Sequence, residues 1–233
     1  MKQMFKDSGV AISQKKKIVE GNTGPVRERL LDTAERLFSE HGFEGTSVRD
    51  LASAAGCNIA SVNYYFGGKE KLYEEVFRRH LIPMTNIRIA SIDKVMAQSN
   101  GKPELEVLLR AFANAFIEPL ADEAKASRFM RLMTREMIDN HLPSDLFVKE
   151  VVFPTRSAMR TALVKSCPGL DESKVPLVVH SVIGQLMHAV HSERMLEQAK
   201  AADVPKFDLA KVIDHIVKFS AAGIRIYSEE KSE

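Results

Sequence analysis

Apolar residues in this chain recur at steps of three and four from Val26 to Tyr227, and hardly anywhere do they alternate with polar ones. A side-chain period near 3.6 belongs to helices and a period of 2 to half-buried strands. The pattern therefore confines the chain to an all-α fold, with about nine helices. At 233 residues, such helices can enclose one large core or two modest ones. The break "QSNGKP" at residues 98–103 favours two, an N-terminal unit and a larger one over residues 99–228. Residues 1–25 show no sustained period and read as a flexible basic arm, in which Lys2, Lys6, Lys15, Lys16 and Lys17 outnumber Asp7 and Glu20.

In the N-terminal unit, residues 26–80, Leu30, Ala34, Leu37 and Phe38 follow helical spacing until "EHGFEGTS" stops them at Gly42. Ser47 or Thr46 can cap a short second helix, and Asp50 is spaced to complete a capping box with Ser47. Val48, Leu51, Ala52 and Ala55 form its apolar stripe. "AAGCN" is a tight turn, after which Ile59, Val62 and Phe66 point a third helix inward. Lys69 opens a longer fourth helix through Leu72, Val76 and Phe77, continuing as a linker to about residue 98, with a bend expected at Pro83.

Helix, glycine turn, short helix, turn, short helix is the order of a helix-turn-helix, whose second short helix enters the major groove of DNA. The stretch "GCNIASVNYYFGGKEKLY", residues 56–73, suits that helix. Between Cys57 and Gly68 its only ionisable side chains are two tyrosines, so no acid there repels phosphate. Asn58, Ser61, Asn63, Tyr64 and Tyr65 offer compact hydrogen-bonding groups on the outward side, and Lys69 adds a point charge near the backbone. Residues 26–80 hold eight Lys or Arg against nine Asp or Glu, so any positive potential must be local and a dimer must double it. The arm can assist in a minor groove; a disordered solubilising tail is the alternative.

The run "LLDTAERLFSEHGFEGTSVRDLASAAGCNIASVNYYFGGKEKLYEEV", residues 30–76, resembles the DNA-binding domain of TetR-type transcriptional regulators, most specifically at "YYFGGKEKLY". "FMRLMTREMIDNHLP" and the segment His180 to Val190 are similar, more loosely, to the CecR-like branch. The resemblance implies a homodimeric repressor, with a divergent helical C-terminal domain that binds a small-molecule effector. It implies double-stranded DNA as partner, and a two-fold dimer demands a pseudo-palindromic operator. By position, Thr46, Ser47 and Arg49 would lie by the DNA backbone or groove, and Asn58, Ser61, Asn63, Tyr64 and Lys69 match places that commonly touch DNA. Asn63 stands where many members have a tyrosine and Tyr65 where many have a histidine. Asn63 can therefore read a base, since Asn pairs well with adenine.

In the C-terminal unit, Met130, Met133, Met137, Phe112 and Phe116 can line an adaptable apolar pocket, with ordinary core packing as the alternative for each. Arg135 can meet an anionic ligand or pair with Glu136 or Asp139. His180 and Met187, on a stripe with Gly184 and His191, complete the candidate ligand set. Val182, Ile183, Leu186 and Val190, with Val212, Ile216, Phe219 and Gly223 of the last helix, are expected to form a four-helix dimer interface. The expected switch is a ligand that shifts the dimer from its DNA-binding spacing, with the fourth helix as lever.

The sequence holds no Ser/His/Asp set, paired-carboxylate motif, P-loop or dinucleotide glycine pattern, so an enzyme is not expected. An enzyme in the helical pocket, or an effector-independent DNA-binding or assembly protein, remain the competing readings. No cofactor is expected and no metal: His188 and His191 are three apart, but no carboxylate or Cys cluster joins them in sequence. Two cysteines without metal-type spacing suggest a reducing, cytoplasmic setting. No apolar run nears the ~18 residues of a membrane span. Cys57, in the recognition turn, reads as a small buried residue, with redox sensing as the alternative.

Overall fold

The computed structural model describes residues 23–120, 123–198 and 208–229. Among them are ten α-helical segments and no strand: α1 Thr23–His41, α2 Val48–Ala54, α3 Ala60–Phe66, α4 Lys69–Gln98, α5 Leu105–Ile117, α6 Glu123–Asp139, α7 Ser144–Phe147, α8 Phe153–Ser166, α9 Val175–Gln198 and α10 Leu209–Glu229. A π turn, Val148–Val152, joins α7 to α8 as one rod, which gives the nine rods the periodicity predicts. Pro154 explains the turn. It has no N–H to donate and its ring would crowd the carbonyl four residues back, whereas a widened turn accommodates it. The N–H of Phe153 accordingly reaches back five residues, to the carbonyl of Val148. α4 continues without interruption past Pro83. Most of the basic arm lies outside the described residues.

Two cores form. The N-terminal one gathers Leu30 and Phe38 of α1, Leu51 of α2, Val62 and Phe66 of α3, and Leu72 and Phe77 of α4. Each such side chain contributes about 1.5–3 kcal/mol on burial. Phe129 and Leu132 of α6, Leu146 of α7 and Val151 of the π turn join this core, not the C-terminal one. The units therefore do not part cleanly near residue 99. The reason is the length of α4, roughly 45 Å for 30 residues at 1.5 Å each, whose first half needs cover that α1 alone does not supply. The C-terminal core holds Ile92 of α4, Leu108, Phe112 and Phe116 of α5, Met159 of α8, and the inner faces of α9 and α10.

Those inner faces correct the expected dimer seam. Val182, Leu186, Val190 and Ile216 are buried within their own chain, and Ile183 and Val212 are half-buried against the same core. The helices use their most apolar stripes intramolecularly, because α5 must be covered. What α9 leaves outside is the stripe of Leu177, His180, Gly184, Met187 and His191, and what α10 leaves outside includes Phe219, 65% exposed, and Ile226. Of the eight expected interface residues only Phe219 is fully outward; Gly223 is half-buried, with nothing near the space a Cβ would take.

Candidate nucleic-acid interface

α2 begins with the capping box its sequence predicts. The side chain of Ser47 accepts from the N–H of Asp50 at 3.1 Å, and the carboxylate of Asp50 accepts from the N–H of Ser47 at 3.0 Å. The Ser47 hydroxyl also donates to that carboxylate, and these bonds hold the Asp50 carboxyl below the usual aspartate range. α2 ends in a Schellman pair, with Cys57 N–H on the Ala52 carbonyl and Gly56 N–H on the Ser53 carbonyl. The side-chain oxygen of Asn58 then accepts from Ala60 N–H at 2.9 Å and starts α3. Arg29 of α1 donates to the carbonyl of Ala55 and pins the turn from behind. α3 leaves through Gly67 and Gly68. Gly68 has φ 132° and ψ 178°, a region open in practice only to glycine, and this sharp exit starts α4 at Lys69.

On α3, Val62 and Phe66 face the core, and Asn63 and Tyr64 face solvent. Tyr64 is 71% exposed, its ring edge-on to that of half-buried Tyr65 at 4.9 Å. Ser61 is half-buried. Arg49 projects from α2, exposed and with no hydrogen bond or ion pair among the described residues. An uncharged outward face on α3 and a free guanidinium on the adjoining α2 can read base edges and accept a phosphate.

Three expectations need correction. Thr46 is 1% exposed, and its hydroxyl donates to the carbonyls of Gly42, at 2.8 Å, and Leu37. It fixes the α1–α2 turn from inside and does not reach DNA. Ser47 is exposed but spends its hydroxyl hydrogen on Asp50, so it has none to donate to a phosphate while the cap stands. Ile59, expected inward with Val62, is 45% exposed, because α3 starts only after it. Lys69 is half-buried, its ammonium 4.0 Å from the ring centroid of Phe43. Cys57 is half-buried against the N-terminal core.

The helix-turn-helix is bound from behind by the end of α6. Arg135 donates to the carbonyl of Glu40 at 3.0 Å, and a Cβ on Gly42 would come within 3.0 Å of its guanidinium. This close approach, with φ 77°, is why glycine sits there. His141 lies 4.5 Å from the ring of Phe43 and 3.2 Å from the carboxylate of Glu44. Tyr73, packed among Phe38, Phe43 and Phe77, donates to Glu136 at 3.0 Å. Burial and the Glu136 carboxylate push its phenol above the ordinary tyrosine range.

The expected ligand set is thereby dispersed. Phe112 and Phe116 lie in the C-terminal core, Met133 packs on the N-terminal one, and Met130 is half-buried. Met137 is 83% exposed, Arg135 holds the α1–α2 turn, and His180 and Met187 face outward on α9. Arg88 is buried inside the apolar stripe of α4, over the ring of Phe116. Its signal was in the sequence, since an arginine stands at the step between Met84 and Ile92 where the helix demands an apolar residue. Among the described residues no group of three His, Cys, Asp or Glu side chains is placed to hold a metal ion, and no helix is long and apolar enough to cross a membrane.

Comparison with known proteins agrees with this geometry. Residues 30–76 match the family model for bacterial regulatory proteins of the tetR family, and residues 110–223 match a tetracyclin repressor-like C-terminal domain. The chain is 42% identical over 149 residues to the protein named "Probable HTH-type transcriptional regulator YttP" of Bacillus subtilis, covering 61% of this chain and 70% of that protein. It is 27% identical over 176 residues to the HTH-type transcriptional dual regulator CecR of Shigella flexneri, covering 69% and 74%. Among solved structures, FadR of Bacillus subtilis in complex with stearoyl-CoA superposes with a TM-score of 0.58 at 18% identity, over 84% of this chain and 98% of that one. FadR of Bacillus halodurans gives 0.58 at 22%, over 88% and 98%. A capped α2, an uncharged α3 and a helical C-terminal half thus coincide with sequence matches to both halves of one architecture, and the chain belongs to the TetR family of DNA-binding transcriptional regulators, not to a family of enzymes.

Proposed function

We propose that the chain acts as a homodimer that holds a pseudo-palindromic operator through α3 of each subunit and releases it when a small molecule enters the C-terminal domain. The observation that carries the DNA-binding part is the pairing of a free, exposed Arg49 on α2 with the uncharged, exposed face of Asn63 and Tyr64 on α3, two helices in contact. In this reading Arg49 takes a phosphate, Asn63 reads a base and Tyr64 supports both. The dimer is supported by the outward stripe of α9 and the exposed Phe219 and Ile226 of α10. Gly184, with nothing near the space a Cβ would take, permits close approach of a second copy.

Release follows from the attachment of the helix-turn-helix to α6. A ligand that moves α6 relative to α4 drags Arg135 and His141 and, through them, the turn at Gly42 and Phe43. Such a ligand works by its preference for the DNA-incompetent arrangement. A small-molecule effector is supported by a fold neighbour that holds stearoyl-CoA; repression is the expected direction, although CecR carries the name of a dual regulator. In this reading the protein acts in the cytoplasm. The test is a footprint on the promoter of the protein's own gene, with wild type and Arg49→Ala. Protection of two half-sites about one helical turn apart, lost in the variant, is the expected result. Protection unchanged by the variant contradicts the assignment of α2 and α3.

A further inference from the structure

Arg88 is charged, buried and unpaired. It is 8% exposed, its guanidinium carbon lies 4.1 Å from the centroid of the Phe116 ring, and its Nε has no hydrogen-bond partner. Among the described residues no carboxylate pairs with it; burial alone pulls its pKa down, to about 10, which leaves it cationic at neutral pH. Two further buried oxygens also lack partners: Oγ1 of Thr85, one turn earlier on the same face of α4, and Oγ1 of Thr155, at the head of the buried stripe of α8. α4 and α8 pack side by side. Arg78 of α4 reaches Glu150 just before α8, and Ile92 of α4 shares a core with Met159 of α8, so Thr85, Arg88 and Thr155 all lie on the span where the two helices run together.

Magnitudes decide what this cluster is for. Removing a guanidinium from water without a counter-charge costs more than stacking it on one ring returns. A methionine or leucine at position 88 would fill the same space without that deficit. A carboxylate would remove it, accepting two parallel bonds from the guanidinium fork while the threonine hydroxyls donate to its remaining lone pairs. The cluster supplies one positive charge, which matches a carboxylate and not a phosphate monoester of charge about −1.5 to −2. The surroundings, Ile92, Phe112, Phe116 and Met159, are apolar.

We propose that Arg88, Thr85 and Thr155 bind the carboxylate of an apolar monocarboxylic acid, whose hydrocarbon body lies against Phe116 and Phe112. The proposal rests on the reading of the C-terminal domain as the effector domain and names the effector's chemical class.

The test is calorimetric titration of the full chain with n-alkanoates of six to twelve carbons, the matching n-alkanols and the matching alkyl phosphates, below their micellar concentrations. Wild type, Arg88→Met and Thr155→Val are compared. The expected result is that one chain length of acid binds wild type, with the alcohol and the phosphate each weaker by about 10- to 100-fold. Arg88→Met should fold with an unchanged or raised Tm and bind acid and alcohol alike; Thr155→Val should weaken the acid alone. No acid binding to wild type, tighter binding of the phosphate, or equal acid affinity in Arg88→Met would each overturn the carboxylate site. Operator release is measured in the same samples. Release by alcohols in wild type and Arg88→Met alike keeps the effector reading and removes the carboxylate; acid binding that leaves operator affinity unchanged keeps the site and removes the release mechanism.

Discussion

Tyr73 donates a 3.0 Å hydrogen bond to Oε2 of Glu136, and Oε1 of the same carboxylate accepts from the backbone N–H of Leu142. One carboxylate thus ties the start of α4 to the end of α6 and to the chain that follows it, directly behind the turn that carries α2. The bond is buried on the tyrosine side, so its loss leaves a carboxylate oxygen short of a donor. Tyr73→Phe should destabilise the protein by about 1.5–3 kcal/mol in urea unfolding. The pH dependence has a definite sign. The native state holds the phenol proton more tightly than the unfolded chain does, so the stabilisation is complete below pH about 10 and is lost as pH rises beyond it. Tyr73→Phe should lack that part of the alkaline decline; an identical decline in both proteins would contradict the assignment.

Thr46 and Arg49 are neighbours with opposite fates. Thr46→Val removes buried hydrogen bonds to Gly42 and Leu37 and should cost about 1–3 kcal/mol in stability, with DNA affinity falling only as the turn loosens. Arg49→Ala should leave the unfolding curve within about 0.5 kcal/mol of wild type, while reducing the salt dependence of operator binding by roughly one counterion. Measuring both quantities on both variants separates a structural threonine from a DNA-contacting arginine.

Acid should weaken α2 before it weakens the cores. The Asp50 carboxyl, held low by its hydrogen bonds to Ser47, contributes stability that is present above the ordinary aspartate value of 3.8 and is lost as pH falls through its depressed value. Asp50→Asn should abolish that acid-dependent step in hydrogen-exchange protection of α2. Protection that still falls over the same range in the variant would assign the step to another group.

Phe219→Glu should convert the proposed dimer to a monomer in light scattering, with little change in the monomer's own helicity, since the side chain lies outside the core. Val182→Glu, a buried position, should instead unfold the C-terminal domain. A dimer that survives Phe219→Glu would show that α10 does not form the interface.

Much of this was legible in the residues themselves. The capping box of Ser47 and Asp50, the exit at Gly67 and Gly68, and the burial of Val62 and Phe66 depend on neighbours a few positions away, which a sequence displays directly. The misjudged residues depend on partners far along the chain. Val182, Leu186 and Ile216 read from sequence as a seam between subunits because periodicity gives a helix an apolar face without saying what covers it. Phe129 and Leu132 serve the N-terminal core because α4 outruns α1, which is a matter of lengths summed over two units. Thr46 has the chemistry of a phosphate ligand, and only the carbonyls of Gly42 and Leu37 show that its hydroxyl is taken. Arg88 is visible in the sequence as an arginine on an apolar stripe, a contradiction that methionines, common in cores, do not carry.

Reading of DNA sequence by α3, as one half of a symmetric pair, can be seen by selecting bound fragments from a random DNA pool. Wild type and Asn63→Ala are taken through the same rounds at about 150 mM salt, where non-specific binding is weakened. The expected result is a two-fold symmetric consensus with half-sites about one helical turn apart. In Asn63→Ala, preference should relax at one base pair per half-site, by about 1–3 kcal/mol. Enrichment of no sequence, or a consensus without symmetry that Asn63→Ala leaves unaltered, would contradict it.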